Sequence, residues 1–173
     1  MLVFLLCPDI MAQEERMKTI LKLISAFCLA GGLMACGGAK EEAISSMPLQ
    51  DVMNALYEGI AEDDLPMFGD DVVITDENEE WYLGTSEAVY DEGLAREPMI
   101  SSIAHSTVLL RVEDESKIDA TMELIRSSIN TNKWICVGID PSQLVLEKKG
   151  NTILMVIDAI GIKDTLLTNF ENI

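Results

Sequence analysis

An acidic stretch in the middle of the chain has the residue types and spacing of a calcium-binding loop. Its oxygen-bearing side chains fall on the first, third, fifth and twelfth positions of such a loop: Asp76, Asn78, Glu80 and Glu87. The sixth position, where the sharp turn needs glycine, is Trp81, and no helix-loop-helix pattern surrounds the stretch. We therefore favour a solvated acidic loop and keep calcium as a hypothesis. No other cofactor is predicted.

The neighbouring pair Trp81-Tyr82 could serve as an aromatic platform for a sugar or a peptide. Such rings combine an apolar face with a polar group that can form a hydrogen bond. The same properties suit a partly buried position in the core. The sequence therefore gives two interpretations of this pair, a ligand-binding surface or core packing.

The chain has a single histidine, His105, so any Ser-His-Asp triad would have to use it. The serines near it are not part of a Gly-x-Ser-x-Gly turn, which positions the nucleophile in many hydrolases. We predict a histidine that is hydrogen-bonded or exposed. The four cysteines include only one beyond residue 36, Cys136, which we interpret as a small buried hydrophobic residue. One histidine and one such cysteine do not suffice for a zinc site.

The beginning of the chain has the features of an export signal. A basic start at Met17-Lys18 leads into the apolar run 23–33, and small residues then precede Cys36. The stretch Leu33-Met34-Ala35-Cys36 resembles the lipobox of bacterial lipoproteins. This resemblance implies transfer of a diacylglycerol to the Cys36 sulfur and cleavage before that residue. Two acyl chains are about the minimum for stable anchoring. The alternative is a conventional secretion signal in which Cys36 is incidental.

These features divide the chain into four segments. Residues 1–16 carry acidic side chains ahead of the basic start, so we interpret them as a mis-assigned translation start. Residues 17–35 are the predicted signal peptide, 36–47 a lipidated cysteine with a flexible tether, and 48–173 a single extracytoplasmic domain.

Acidic residues dominate the predicted mature chain. The whole sequence has 12 basic and 30 acidic residues, and the first 35 residues contain three of each, so the remainder keeps the net charge of −18. Such a surface repels nucleic acid and anionic lipid headgroups. The sequence therefore predicts no nucleic-acid partner.

Hydrophobic periodicity predicts an α+β domain. Apolar residues at helical spacing indicate a first helix at 49–60, and similar patterns indicate helices at 116–130 and 158–170. Four strands are predicted, at 94–100, 108–112, 143–148 and 152–157. Residues 72–74 could add a short strand. The order predicts a four-stranded antiparallel sheet with helices packed on one face.

The Glu97-Pro98-Met99-Ile100-Ser101-Ser102 strand and the Gly150-Asn151 hairpin, together with the lipobox, carry a family resemblance. Over roughly residues 49–170 the chain resembles small Gram-positive bacterial lipoproteins whose extracytoplasmic domain is catalogued as a domain of unknown function. The resemblance implies a location on the outer face of the cytoplasmic membrane and assigns no catalytic residue.

We therefore expect a lipoprotein anchored through Cys36, acting as a non-enzymatic binding or accessory module at the cell envelope. Its partner would be an envelope protein or a cell-wall component. The alternative is a cell-envelope hydrolase that uses two carboxyl groups as acid and base, which would need a cleft with facing carboxylates.

Overall fold

The computed structural model describes residues 35–173, with side chains from residue 41 onward. The predicted segments 1–16 and 17–35 lie outside this range, except for Ala35. The helices, in chain order, are α1 (Ala35–Ser46), α2 (Leu49–Leu56), α3 (Glu79–Leu83), α4 (Ile118–Ser128) and α5 (Lys163–Asn172). The strands are β1 (Val72–Val73), β2 (Glu92–Arg96), β3 (His105–Arg111), β4 (Val145–Lys149) and β5 (Thr152–Asp158).

The strands form one antiparallel sheet in the order β1-β2-β3-β5-β4. This arrangement confirms the α+β class, but the sheet has five strands instead of the predicted four. The additional strand is the short β1, in which Val72 pairs with Ala95 and Val73 with Leu94. Because β1 has only two residues, its sequence carries too little alternation to distinguish it from a loop.

The central strands β3 and β5 are covered on both faces of the sheet. Leu110 packs with residues of α3 and α4, whereas its neighbour Leu109 packs with residues of α2 and α5. Successive side chains of a strand point to opposite faces, so each face of β3 contributes to a different core. The prediction that the helices pack on one face is therefore wrong.

The segment predicted as a flexible tether, 36–47, is helical over most of its length in α1. Its end is fastened to the sheet, because the Ile44 side chain is fully buried and its carbonyl accepts a hydrogen bond of 2.8 Å from Arg111 Nη1. Arg111 Nη2 donates to the Met47 carbonyl. The composition of 36–47 is polar and glycine-containing and does not reveal these contacts, which its C-terminal end makes with a partner on β3.

Candidate functional site

The structure does not gather the four residues of the calcium hypothesis into a site. Asn78 Oδ1 accepts a hydrogen bond from the Thr75 backbone N–H, and its Nδ2 donates to the Val73 carbonyl. Helix α3 begins directly after Asn78 and places Glu80 on a helical turn instead of a loop. Within the described part of the chain, no group of three or more His, Cys, Asp and Glu side chains is placed to hold a metal ion.

Part of the acidic stretch lines an open polar cavity of about 1000 Å³. Asp76, Glu77 and Asp91 are exposed there, whereas Glu79 is buried and accepts a hydrogen bond of 3.0 Å from the Tyr90 hydroxyl. Burial raises the pKa of Tyr90, and the neighbouring Glu79 carboxylate raises it further. The buried carboxylate of this cavity, that of Glu79, is thus occupied by an internal hydrogen bond with Tyr90.

The aromatic pair Trp81-Tyr82 surrounds a cation of the chain itself. Lys133 Nζ lies 5.2 Å from the ring centroids of Trp81 and Tyr82 and 5.1 Å from that of Trp134. Glu97 completes the cage, because its carboxylate pairs with Lys133 at 2.5 Å and accepts a hydrogen bond from the Trp81 indole N–H. Burial lowers the pKa of Lys133, and Glu97 opposes that shift.

This cage changes the interpretation of the pair as a platform. Tyr82 is buried and therefore belongs to the core, whereas Trp81 remains 47% exposed. Cation–π contacts with a desolvated ammonium are worth roughly 2 kcal/mol. Lys133 therefore fixes the Trp81 ring in place and leaves part of it accessible.

His105 is the first residue of β3 and is fully buried in a hydrogen-bonded network. Its Nδ1 lies 3.1 Å from Asp158 Oδ1, and its Nε2 lies 2.8 Å from the Tyr57 hydroxyl. The Tyr57 oxygen is also 2.7 Å from Thr107 Oγ1. Because the ionised Asp158 carboxylate can only accept, His105 Nδ1–H is the donor of that hydrogen bond. The histidine is thus hydrogen-bonded, as one of the two predicted alternatives requires.

Asp158 is also held by the backbone. Burial alone would raise its pKa, but the hydrogen bond from His105 and those from the Ile160 and Lys163 N–H groups outweigh burial and lower the pKa to about 2. An Asp-His-Tyr arrangement resembles a relay, yet the side chains of His105 and Asp158 are only 0% and 2% exposed. The network is closed to solvent and joins the end of α2 to β3 and β5.

Five large apolar side chains are exposed on segments that hydrogen bonds join to one another, and we call them the apolar patch: Met67, Trp81, Met99, Ile100 and Ile135. Backbone hydrogen bonds join the segments, since Met99 N–H donates to the Met67 carbonyl and Ile135 N–H to the Ser101 carbonyl, both at 2.9 Å. Trp81 is joined to the same region by its bond to Glu97.

The segments that carry the patch are held from below. Phe68 forms an antiparallel bridge with Pro98, and its ring packs against Tyr57 and His105 at centroid distances of 5.3 and 5.7 Å. The buried network therefore holds the Met67 segment, and the Lys133 cage holds Trp81.

The cations in the segments around the patch are already paired. Arg96 forms two hydrogen bonds of 2.7 Å with Asp71, and Lys133 pairs with Glu97. Exposed carboxylates flank the patch residues along the chain: Glu62, Asp63 and Asp64 before Met67, Asp70 after it, and Glu80 beside Trp81. The patch therefore combines an apolar centre with acidic flanking segments.

Two further predictions concern cysteines, lipidation of Cys36 and burial of Cys136. Cys36 lies in α1, but its side chain is outside the described residues. Cys136 is exposed, not buried as predicted, and has a positive φ of 60° beside Ile135. The short loop that exposes Ile135 also turns Cys136 outward.

Comparison with protein-family models, with curated proteins and with solved structures found no match to this chain. None of the helices within residues 35–173 has the length and apolar character needed to span a bilayer.

Sequence reasoning missed Lys133 and four residues of the patch. A signal was present in Met99-Ile100, two apolar residues that follow Pro98 and precede two serines. The predicted strand 94–100 included both residues, whereas β2 ends at Arg96. The shorter strand leaves both side chains outside the sheet and exposed.

Proposed function

We propose that this chain is a membrane-anchored extracytoplasmic lipoprotein and that its domain is a non-enzymatic binding or accessory module at the cell envelope. The observation that carries the binding role is the exposed apolar patch. Met67 is 73% exposed and Met99 65% exposed, although the backbones of the two residues are hydrogen-bonded to each other. Large exposed apolar patches with polar rims are typical of interaction sites.

The rigidity of the patch supports the same role. Association costs free energy when side chains and loops must be ordered, so a surface held in one conformation binds more strongly. Here the contacts of Phe68 hold the Met67 segment, and the Lys133 cage holds Trp81. These apolar side chains are not covered by packing within the domain, and a partner that covers them explains their exposure.

No observation favours the hydrolase alternative. A carboxylic acid that donates a proton near neutral pH needs a raised pKa. Within residues 41–173, the carboxyl groups with clearly shifted pKa values are all shifted downward: Asp71, Asp114, Asp140 and Asp158. In Asp71, burial acts to raise the pKa, but the hydrogen bonds from Arg96 and Gln50 outweigh it.

The anchor follows from the lipobox resemblance and can be tested at Cys36. We expect the Cys36→Ser variant of the full chain, expressed in a Gram-positive host, to lose incorporation of labelled palmitate and to leave the membrane fraction or accumulate as uncleaved precursor. The matched control is Cys136→Ser, because Cys136 is exposed but lies far along the chain from the lipobox. Equal labelling of the two variants would contradict lipidation at Cys36.

Photo-crosslinking in intact cells tests the binding role. A photoreactive residue at Ile135 is expected to give discrete adducts of higher mass, because a bound partner covers this position. Val89 is the matched control, since it is similarly exposed, 51% against 63%, but is not part of the patch. Adducts of the same pattern from both positions, or none from Ile135, would contradict a partner at the patch.

A further inference from the structure

We propose that the occupant of the apolar patch is a cationic segment of a partner protein, with apolar side chains that cover the patch and Lys or Arg residues beside them. This inference rests on the proposed function, because it names the chemistry of the partner that the patch binds. It adds a charge requirement that the binding role alone does not contain.

The first argument is the charge of the segments that carry the patch. Exposed carboxylates lie close in sequence to patch residues at Asp70 and Glu80, and the whole chain has a net charge of −18. The cations nearest along the chain, Arg96 and Lys133, are taken up in ion pairs whose side chains are only 15% and 1% exposed on the basic side. The nearby cations are therefore not available to offset the negative charge of these segments, and complementary potentials favour a basic partner.

The second argument is the Trp81 ring. Lys133 holds this ring in place, yet nearly half of the residue remains exposed. Arg side chains bind such indole surfaces by cation–π contacts and by stacking. An arginine from the partner can thus stack on the exposed part of the Trp81 ring.

The same charges disfavour two other occupants. A second copy of this chain would bring acidic flanking segments together, and each copy carries a net charge of −18. Anionic lipid headgroups would be repelled in the same way. A cationic protein segment satisfies both the apolar centre and the acidic surroundings.

Two synthetic peptides of equal length serve as probes, one alternating leucine with lysine and the other alternating leucine with glutamate. Each is titrated against the full lipidated chain in nanodiscs of zwitterionic lipid, with empty nanodiscs as the blank. We expect the leucine-lysine peptide to bind and its affinity to fall as salt is added, because exposed charges are screened. Binding of the leucine-glutamate peptide should be at least about tenfold weaker, since like charges oppose it.

A Met99→Ser/Ile135→Ser double variant locates the binding. Both side chains are exposed, so the variant keeps its fold, which a thermal melt verifies. We expect the leucine-lysine peptide to bind this variant about tenfold or more weakly, because truncating central contacts of an interface removes most of its affinity. Val89→Ser should leave the affinity unchanged.

The outcomes separate this inference from the proposed function. Equal binding of both peptides, abolished by the double variant, would overturn the cationic partner and retain the patch as a binding surface. Equal effects of the double variant and Val89→Ser, or no binding of the lysine peptide, would overturn the inference. A concentration-dependent dimer that the double variant dissociates would replace it with a second copy of the chain.

Discussion

Replacing Arg111 by methionine is expected to lower the free energy of unfolding by about 3–5 kcal/mol, because several buried acceptors lose their donor at once. Arg111 lies on β3, is 6% exposed, and donates to the Ile44 and Met47 carbonyls. It also donates to Asn151 Oδ1 and Thr152 Oγ1. Methionine fills similar space but offers no N–H group. Urea unfolding of the full chain, followed by tryptophan fluorescence, measures the change.

The matched control is Arg126→Met on α4. Arg126 is exposed, so we expect this substitution to change the free energy of unfolding by less than about 0.5 kcal/mol. Arg111→Lys provides a second comparison. A lysine keeps the positive charge but lacks the planar guanidinium, so it cannot donate to all of these acceptors at once. A loss below about 1 kcal/mol for Arg111→Met would contradict the view that this side chain fastens α1 to the sheet.

The second large effect is expected at Asp158, whose pKa in the folded protein is lowered to about 2. An unfolded aspartate titrates near about 3.9, so the ionised carboxylate stabilises the fold by about 2 kcal/mol. Because the folded pKa is the lower one, this contribution is complete above about pH 5 and is lost as the pH falls toward about 2. Asp158→Asn should remove it at neutral pH.

The measurement is the difference in free energy of unfolding between wild type and Asp158→Asn across this pH range. We expect the difference to be largest at neutral pH and to narrow as the medium is acidified. Asp164→Asn on α5 is the control, because Asp164 is exposed. A difference between wild type and Asp158→Asn that stays constant from neutral pH to about pH 2 would show that the asparagine disturbs packing and not charge.

The α+β class and the four longer strands could be predicted because their signals are local. An unbroken apolar run at 153–157 and the Gly150-Asn151 turn specify the β4-β5 hairpin within about a dozen residues. The same run also predicts a strand covered on both faces of the sheet, since a strand that is apolar throughout has no solvent-facing side, and its residues lie in both cores. The prediction that helices pack on one face is inconsistent with such a strand, and the structure has helices on both faces.

Features that depend on distant partners could not be read from the sequence. The Lys133 cage joins residues 81 and 133, and the pairing of the Met67 and Met99 segments depends on where β2 ends. Composition also does not reveal the contact of α1 with Arg111. Whether an apolar side chain is exposed depends on how distant segments pack, so the patch could be identified only from the folded structure.

The attachment of α1 to β3 has a mechanical consequence. If the chain is tethered to a membrane at its N-terminal side, any pull between the membrane and a bound partner enters the domain at Ile44. There the buried side chain and the Arg111 hydrogen bonds carry the load directly to β3, a central strand that is paired along its whole length. A force on the Ile44 segment is thus shared by the two ladders that β3 forms with β2 and β5.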